Sequence, residues 1–546
     1  MKLVWLTINS SWSHSSLALP LVHCACRRCA SWQWECHAAT IKDDMSSLAG
    51  EVVGHSPDLV CAPIYIFNRP YVLEALGRIK ALLPQVLIAV GGPECLGGGA
   101  KELIAKNEFI DFACQGEGEA MMPLLLDAIA EGRNIAIPGV VSRENSENAT
   151  ARIFDDWANS YEIPCLDEFY DFTKGFVQVE TSRGCPNHCA FCTSAGVPVR
   201  YRPLDSVRRE FTILEGHGVR EIRLLDRTFN MPPSRAVELL KIFRTEFPKM
   251  HFHLEFNPCI MPQNLRDELR MANDGQLHIE AGMQSMHEEV VDAIGRVHTC
   301  EKAIEGLKFL CSLPGVVVHS DLISGLPEQT LSGLYDDIVR MGEIGPGEIQ
   351  LEVLKILKGT ALEDAADELG LRHSPFAPFD VMCTPWMSAS EIIEARYLSR
   401  ILDLFYNTAV LQEAFRKCLG ASGFLKNFLE WLRCNGMDLG PSPSLKKRFL
   451  WMYDYIKGKG YSEAMDALRI SWMKESFGAA GPCADAECME KLEGVLLDRI
   501  AGSEADDISR DARYYRLVCS DGRGLVFVYN RGVAPNKAIA VYCAQE

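Results

Sequence analysis

The chain has 546 residues, of which 48% are hydrophobic and 23% are charged, and its formal net charge is −18 at pH 7. Length alone suggests about three or four domains, and the composition is typical of a water-soluble globular protein. A surface this acidic repels phosphate backbones, so a general nucleic-acid binder is disfavoured, and the lack of any apolar run of about 18 residues predicts no membrane span.

Cysteine usage and the first residues indicate the compartment. The 21 cysteines have no regular framework spacing, which favours a reducing cytoplasm over a disulfide scaffold. Residues 16–26 are apolar, but they follow a charged, strand-like start and contain Pro20 and His23. We therefore interpret them as a helix and not as a secretory signal, and we expect a cytoplasmic protein.

Residues 1–140 alternate apolar, strand-like runs with segments of helical periodicity. Such alternation predicts a doubly wound parallel sheet, which binds ligands at the carboxyl ends of its strands. Gly91, Gly92 and Gly116 fall at predicted strand ends, where glycine allows a close ligand but is also ordinary turn chemistry. The predicted strands are 2–9, 58–67, 86–93 and 109–119.

A polar, aperiodic, proline-containing segment, 141–173, predicts a linker. Beyond it, over residues 174–370, six strand candidates alternate with amphipathic helices and predict a partial (β/α)6 barrel. The chemistry of such a barrel belongs at the C-terminal ends of its strands. The candidates are 175–184, 221–226, 251–257, 277–283, 315–323 and 348–356.

Three cysteines, Cys185, Cys189 and Cys192, follow the first barrel strand on one short loop. Three thiolates suit an iron-sulfur cluster whose fourth iron stays open. A structural zinc site would need a fourth ligand, for which His188 is the only local candidate. The position after a strand places either metal site at the mouth of the barrel.

The cysteine spacing, Phe191 before the last cysteine and the Arg-Gly pair before the first resemble the radical S-adenosylmethionine (SAM) superfamily. The resemblance implies a [4Fe-4S] cluster on the three cysteines that binds SAM and cleaves it to a 5'-deoxyadenosyl radical. Polar residues at later strand ends match the superfamily in order and spacing. By that resemblance, the SAM contacts are Phe191, Asp226, Thr228, Asn230, Glu255, Glu280, Gln284, Arg296 and Asp321.

Two of these assignments have a structural alternative. The stretch from Asp226 to Asn230 is also a good turn and helix N-cap sequence. Glu280, on an otherwise apolar strand, needs a buried partner, which is either a ribose hydroxyl of SAM or Arg296.

The N-terminal region resembles the cobalamin-binding domain that precedes many radical SAM domains. The resemblance is carried by Pro57-Asp-Leu-Val60, Asn68, Val90-Gly-Gly-Pro-Glu94, Asp111 and Gly116-Glu-Gly-Glu119. None of the 13 histidines has Asp two residues before it, so the Asp-x-His-x-x-Gly motif that supplies an imidazole below cobalt is absent. The lower face of cobalt is then open, water-bound or met by another side chain. The implied cobalamin contacts are His14, Asn68, Gly91, Gly92, Glu94, Gly116 and Glu117.

Residues 371–546 resemble an uncharacterised extension of some cobalamin-type radical SAM proteins, and we expect them to cover the active site. Helical patterns dominate 389–477, and the last run predicts a small antiparallel sheet. Cys483 and Cys488, with Cys418 or Cys434, are free thiols or ligands of a second cluster. The basic and aromatic residues between 446 and 459 predict either an ordinary helix with an aromatic core face or an RNA-binding face.

The resemblance implies a cobalamin-dependent radical SAM enzyme, most simply a methyltransferase acting on an unactivated carbon or a phosphinate centre. Ring contraction or cyclisation, an RNA-modifying methylthiotransferase, and a corrinoid or iron-sulfur carrier or sensor without turnover are the alternatives. The expected partners are a small-molecule or peptide substrate and an electron donor such as flavodoxin or ferredoxin. Neither nucleic acid nor a membrane is expected.

Overall fold

The computed structural model describes residues 1–14, 16–146, 151–154, 157–296, 299–475, 489–491, 513–529 and 540–544. The chain divides into two compact units. Unit 1 comprises Met1–His319, Ile323–Thr330 and Val353–Ile392, and unit 2 comprises Ser320–Leu322, Leu331–Glu352 and Ile393–Glu546. Within the described ranges, every helix is too short or too polar to cross a membrane.

Unit 1 begins with a six-stranded sheet in the order β2-β1-β3-β4-β5-β6, in which only β6 is antiparallel to its neighbour. The strands are β1 Lys2–Asn9, β2 Gln33–Thr40, β3 Leu59–Pro63, β4 Leu87–Gly91, β5 Phe112–Cys114 and β6 Val140–Val141. The helices are α1 Ala18–Ala25, α2 Met45–Gly54, α3 Arg69–Leu82, α4 Gly99–Lys106 and α5 Gly118–Ala130.

Both faces of this sheet are covered, because successive side chains of a strand point to opposite faces. Val4, Leu6 and Ile8 of β1 pack in one apolar cluster with residues of α2, α3 and α4. Leu3 and Trp5 pack in a second cluster with residues of α1 and α5. The doubly wound architecture predicted from the alternation is therefore confirmed.

The edge strand β2 is absent from the sequence prediction. Its residues are mostly exposed or half-buried, so it has no continuous apolar run of the kind that marks β1 and β3. It pairs with β1 along its whole length, from Lys2 opposite Gln33 to Asn9 opposite Thr40. Short elements follow β6 in the predicted linker, namely α6 Trp157–Ser160 and a 3-10 turn at Pro164–Leu166.

A second six-stranded sheet contains all six predicted barrel strands, in the order β14-β13-β12-β11-β10-β7. The first candidate is divided, because β7 ends at Val179 and a two-residue strand, β8, pairs antiparallel with β9 around the cysteine loop. The strands are β7 Val177–Val179, β8 Ser182–Arg183, β9 Arg200–Tyr201, β10 Glu221–Leu224, β11 His251–Phe256, β12 Leu277–Gln284, β13 Val316–Ser324 and β14 Glu348–Val353. The helices are α7 Leu204–Gly216, α8 Pro233–Glu246, α9 Gln263–Leu269, α10 Glu288–Ala293, α11 Cys300–Cys311 and α12 Leu331–Ile344.

After β14, short elements lead into a helical region and a four-stranded antiparallel sheet in the order β17-β18-β19-β20. The strands are β15 Arg372–His373, β16 Val381–Cys383, β17 Met489–Lys491, β18 Arg513–Val518, β19 Gly524–Tyr529 and β20 Ala540–Ala544. The helices are α13 Ala361–Ala365, α14 Ala389–Ile401, α15 Ala409–Leu419, α16 Phe424–Cys434, α17 Leu445–Lys457 and α18 Ser462–Lys474. The predicted fold class is confirmed in each of its parts.

The basic and aromatic residues of α17 form an ordinary helix face. Phe449, Trp451, Tyr453 and Tyr455 are all buried, and Lys447 lies 4.6 Å from the centre of the Trp451 ring. Since the rings are packed away from solvent, they are not displayed for base stacking. Cys483 and Cys488, considered as ligands of a second cluster, lie outside the described residues.

Candidate active site

The cysteine loop is held at both ends by backbone pairing. Ser182 and Arg183 of β8 pair with Tyr201 and Arg200 of β9, and the Cys185 amide donates to Val197 O at 3.1 Å. Gly184 has a φ of +94°, and a Cβ there would lie 2.3 Å from Pro198 O. The Arg-Gly pair of the motif thus reflects a close backbone approach that excludes any side chain at 184.

The backbone of one residue in the middle of the loop, Ala190, is hydrogen bonded to two distant segments. The Ala190 amide donates to Ile294 O at 2.9 Å, and Ala190 O accepts from the Leu362 amide at 2.9 Å. The Phe191 side chain packs with an apolar cluster that includes Val290 and Ile294. The loop therefore has a defined position relative to the end of α10.

Cys185 is buried, Cys189 and Cys192 are half-buried, and polar groups lie beside them. Cys185 Sγ lies 3.4 Å from Thr228 Oγ1 and accepts from Asn187 Nδ2 at 3.4 Å. Burial raises the pKa of the Cys189 thiol and the charges of Cys185 and Cys192 add to this, whereas Arg296 opposes it. Among the described residues, no three His, Cys, Asp or Glu side chains are grouped around a metal-binding point. The fit to an iron-sulfur cluster therefore rests on donor chemistry, three soft thiols on one loop.

Asp226 and Asn230 are buried and their polar atoms are used by the protein itself. Asp226 accepts from the amides of Thr181 and Ser182 at 2.7 and 3.1 Å. Asn230 Nδ2 donates to Asn257 O at 2.8 Å, and its Oδ1 accepts from the Asn257 amide at 2.9 Å. The structure thus gives Asp226 a part in fixing the segment before the cysteine loop, through contacts with a distant part of the chain and not as a cap of its own local turn.

The partner of Glu280 is a residue that the sequence did not indicate. Glu280 Oε2 lies 3.0 Å from His253 Nε2 on the neighbouring strand. Arg296 Nη1 donates instead to the backbone oxygens of Gly282 and Met283, at 2.8 and 3.1 Å. Adjacent strands can bring His253 and Glu280 together because β11 and β12 are parallel and in register, with His253 opposite His278.

Three further residues were predicted to contact SAM, namely Gln284, Glu255 and Asp321. Gln284 ends β12 with a φ of +68°, and its Oε1 atom is buried without a hydrogen-bond partner. Glu255 Oε1 lies 3.7 Å from Arg227 Nη1. Asp321 belongs to unit 2. An unsatisfied buried acceptor at Gln284 is the feature of this set that points to a ligand.

A cavity of about 760 Å³ opens where the carboxyl ends of β1, β3, β4 and β5 face the first barrel strand and the cysteine loop. Its lining includes five of the seven predicted cobalamin contacts, namely His14, Gly91, Gly92, Gly116 and Glu117. A Cβ at Gly92 would lie 2.8 Å from Ile64 O, and one at Gly116 would lie 2.2 Å from Arg152 O. Both contacts are with the protein's own backbone, so packing within the loops requires these two glycines, and the fit to a large cofactor rests on the volume of the cavity and its position at the strand ends.

Asn68 and Glu94, the other two predicted contacts, lie behind the lining. Asn68 donates to Ile8 O at 2.9 Å and accepts from the Tyr65 amide at 2.7 Å, so it connects the loop after β3 to the end of β1. Glu94 pairs with Arg69 at 2.7 Å. Both side chains are buried and shape the cavity from within the protein.

His14 lines the cavity, and its ring has both a hydrogen-bond partner and an aromatic neighbour. Its Nδ1 is 2.8 Å from Ser11 Oγ, and its ring packs edge-on against Phe176 at 5.2 Å. Burial lowers the pKa of His14, and the nearby Arg223 lowers it further. The imidazole is therefore favoured in its neutral form, which can donate or accept a hydrogen bond.

An ion-pair network in the cavity wall was not predicted. Arg183 Nη2 lies 2.6 Å from Glu119 Oε1 and 2.7 Å from Glu180 Oε2, and Arg200 pairs with Glu117 at 2.5 Å. Burial raises the pKa of Glu180, and Arg183 opposes this effect. The sequence signal was present in the Gly-Glu-Gly-Glu run and in the Arg before Cys185, but their partnership needed the fold.

Residues 179–338 match the family model described as the radical SAM superfamily, so this part of the chain is a radical SAM domain. The matched range begins in β7 and ends in α12, and it contains the cysteine loop. The resemblance inferred from the three cysteines is thereby confirmed.

Two curated relatives share about half of the chain. The hopanoid C-3 methylase of Methylococcus capsulatus is 26% identical over 285 residues, which are 49% of this chain and 53% of the relative. The cobalamin-dependent radical SAM methyltransferase TokK of Streptomyces tokunonensis is 24% identical over 349 residues, 58% of this chain and 50% of the relative. The chain thus spans about half the length of the curated relatives it matches.

A solved structure extends the likeness to most of the chain. The radical S-adenosylmethionine methyltransferase TsrM of Kitasatospora setae, solved with cobalamin and a [4Fe-4S] cluster, matches with a TM-score of 0.57 and 17% identity, over 86% of this chain and 98% of that one. At this identity the likeness concerns the fold. It confirms the predicted architecture of a doubly wound sheet, a partial barrel and a C-terminal extension.

Proposed function

We propose that the chain is a cobalamin-dependent radical SAM enzyme that methylates a carbon or phosphinate centre which is not itself nucleophilic. The observation that carries the proposal is the cavity of about 760 Å³, because Gly91, Gly92 and Gly116 of the first sheet border it together with Thr193 and Ser194 of the cysteine loop. One space therefore adjoins both predicted cofactor sites. The two curated relatives described above bear the names of methyl-transferring enzymes.

Within this proposal, the domains have separate tasks. Residues 1–140 bind cobalamin, 141–173 connect, 174–370 form the radical SAM barrel and 371–546 cover the active site. Cys185, Cys189 and Cys192 hold the cluster, with Thr228 and Asn187 beside the Cys185 sulfur. When bound, the cluster supplies the electron that cleaves SAM and cobalamin carries the methyl group.

The chain's own residues orient and shield these groups. Glycine at the strand ends lets the corrin approach the backbone of β4 and β5. Gln284 Oε1, buried without a partner, accepts from a hydroxyl or amino group of SAM, and Phe191 contacts its adenine. His14 reaches the cofactor from the loop after β1.

The proposed substrate is a small molecule or a peptide, and the reaction needs an external one-electron donor such as flavodoxin or ferredoxin. A formal net charge of −18 opposes binding of an RNA substrate. We place the protein in the cytoplasm, since the many free thiols and an iron-sulfur cluster call for a reducing compartment.

An anaerobic reconstitution tests the proposal. The protein is loaded with iron, sulfide and hydroxocobalamin, freed of excess reagents, and given SAM and a chemical reductant. We expect the absorbance of both cofactors and release of 5'-deoxyadenosine, together with S-adenosylhomocysteine once a substrate is present. If the protein retains corrinoid but does not cleave SAM, the enzyme proposal is wrong and a carrier or sensor is favoured. If it cleaves SAM but does not bind corrinoid, the cobalamin assignment is wrong.

A pair of cysteine variants separates the two cofactors. Cys189→Ala should lose iron and 5'-deoxyadenosine release while keeping corrinoid. Cys434→Ala, which removes an exposed thiol of unit 2, should behave as the unmodified protein. Release of 5'-deoxyadenosine without S-adenosylhomocysteine on a turned-over substrate would favour ring contraction or cyclisation instead of methylation.

A further inference from the structure

A group of histidines and glutamates lies between the edge strand β2 and the helix α2, outside the proposed active site. Glu35 and His37 are two residues apart on a strand, so both point to one face, and Glu51 and His55 are four apart at the end of a helix, so both lie on one side. His37 Nε2 and His55 Nε2 face each other at 3.0 Å. Neither histidine contributes to the cavity lining.

The carboxylates are arranged across the interface between strand and helix. Glu35 of the strand pairs through Oε2 with Nδ1 of His55 on the helix. Glu51 of the helix has Oε2 at 3.9 Å from Nδ1 of His37 on the strand. Each imidazole therefore has a carboxylate on its Nδ1 side and the other imidazole on its Nε2 side.

This arrangement favours one tautomer of each ring. A carboxylate beside Nδ1 favours the tautomer that carries its proton there, which leaves Nε2 with a lone pair. With both rings in this form, two lone pairs face each other at 3.0 Å and repel unless a cation lies between them. In metal sites, a histidine that binds the ion through one ring nitrogen is commonly oriented by a carboxylate at its other ring nitrogen.

We propose that His37 and His55 are the protein ligands of a divalent transition-metal ion, with His55 oriented by Glu35 and Glu51 placed near the Nδ1 side of His37. Imidazole nitrogen suits Zn²⁺, Co²⁺ and Ni²⁺. A tetrahedral ion with bonds of about 2.05 Å holds two nitrogens about 3.3 Å apart, so the rings need to separate by only a few tenths of an ångström. Because the described residues contain no group of three or more such ligands, water completes the coordination.

Charge and exposure are consistent with such a site. Glu35 and Glu51 supply two negative charges, of which Lys2 balances one through a 3.3 Å pair with Glu35. The histidine side chains are 20% and 39% exposed, so an ion and its waters have access from solvent. The ion would join the edge strand β2 to the end of α2.

The test uses the full chain with its cluster and corrinoid loaded, so that the cluster cysteines are occupied. Zn²⁺ is titrated anaerobically into the unmodified protein, His37→Ala and His55→Ala, and bound zinc is measured after desalting. We expect one Zn²⁺ per chain in the unmodified protein and a loss of affinity of about tenfold or more in each variant. His251→Ala is the matched control, because that exposed imidazole faces a single carboxylate, Glu221, at 3.3 Å and should change nothing.

X-ray absorption at the zinc edge of the Zn²⁺-loaded unmodified protein gives a readout that does not depend on the variants folding. A zinc ion with two imidazole nitrogens and otherwise oxygen ligands would support the site. Sulfur ligands, or equal Zn²⁺ binding in the unmodified protein and both histidine variants, would overturn it and leave an imidazole-imidazole hydrogen bond only. Glu51→Gln should weaken Zn²⁺ binding while keeping two nitrogen ligands.

Discussion

Arg183 of β8 contacts Glu119 of α5 at 2.6 Å between Nη2 and Oε1. Glu119 lies in the first turn of α5, beyond the carboxyl end of β5, and Arg183 lies two residues before the first cysteine of the motif. The Arg183 side chain is 12% exposed and also pairs with Glu180. One guanidinium thus connects the predicted corrinoid side of the cavity with the cysteine loop.

Arg183→Gln should destabilise the protein and release corrinoid. The substitution leaves Glu117, Glu119 and Glu180 as neighbouring carboxylates without their shared cation, and breaking a buried pair costs about 3–5 kcal/mol. Urea unfolding and the retained corrinoid absorbance measure both effects. Arg78→Gln is the control, because its pair with Glu74 is half-exposed, and equal losses in the two variants would contradict the network's importance.

Gly92→Ala tests the close approach at the end of β4. The new Cβ would lie 2.8 Å from Ile64 O at a φ of +97°, so we expect a loss of about 2–5 kcal/mol in stability and of corrinoid binding. Gly132→Ala has a φ of +63° with nothing within 4 Å, and should lose only about 1–2 kcal/mol. Similar losses in both variants would mean that backbone strain alone explains the Gly92 effect.

Asp226→Asn distinguishes a positioning residue from a SAM contact. The amide side chain cannot accept all the hydrogen bonds that Thr181 and Ser182 donate, so the turn before the cysteine loop should loosen and iron content should fall. A raised KM for SAM with full iron content would instead show direct contact. Asp205→Asn, at a highly exposed position, should leave both unchanged.

The stability of the protein should fall on mild acidification because of His278. Burial lowers the pKa of His278 to about 4, with further lowering by His253 and His319. Between its usual value and about pH 4 the unfolded chain binds a proton that the folded chain does not, so unfolding becomes easier as the pH falls through this range. Urea midpoints at pH 7, 6 and 5 should converge in His278→Gln, whereas His251→Gln should keep the full dependence.

Much of the fold could be predicted because its main elements have recognisable patterns over a few consecutive residues. Buried parallel strands such as β1 and β3 are continuous apolar runs, and the cysteine motif lies within eight residues. The edge strand β2 was missed because it has no such run. The pairing of His253 with Glu280, and that of Arg183 with Glu119, depends on strand register and on contacts 27 and 64 residues apart, which no local pattern contains.

The placement of the predicted cobalamin residues shows the same limit. Gly91, Gly92 and Gly116 border the cavity, whereas Asn68 turns inward to Ile8 and Tyr65. A residue of a motif can contact the ligand itself, or it can hold the shape of the loop that contacts the ligand. The two roles can be told apart only from the direction of the side chain in the structure.

The two backbone bonds of Ala190, to Ile294 and Leu362, constrain how the cysteine motif can vary among related chains. A small apolar residue can replace alanine there, because the bonds use only the peptide. Proline would remove the donor, and one inserted residue would shift the carbonyl out of reach of Leu362. The number of residues between Cys189 and Cys192 is therefore fixed by these backbone bonds as well as by the spacing of the thiols.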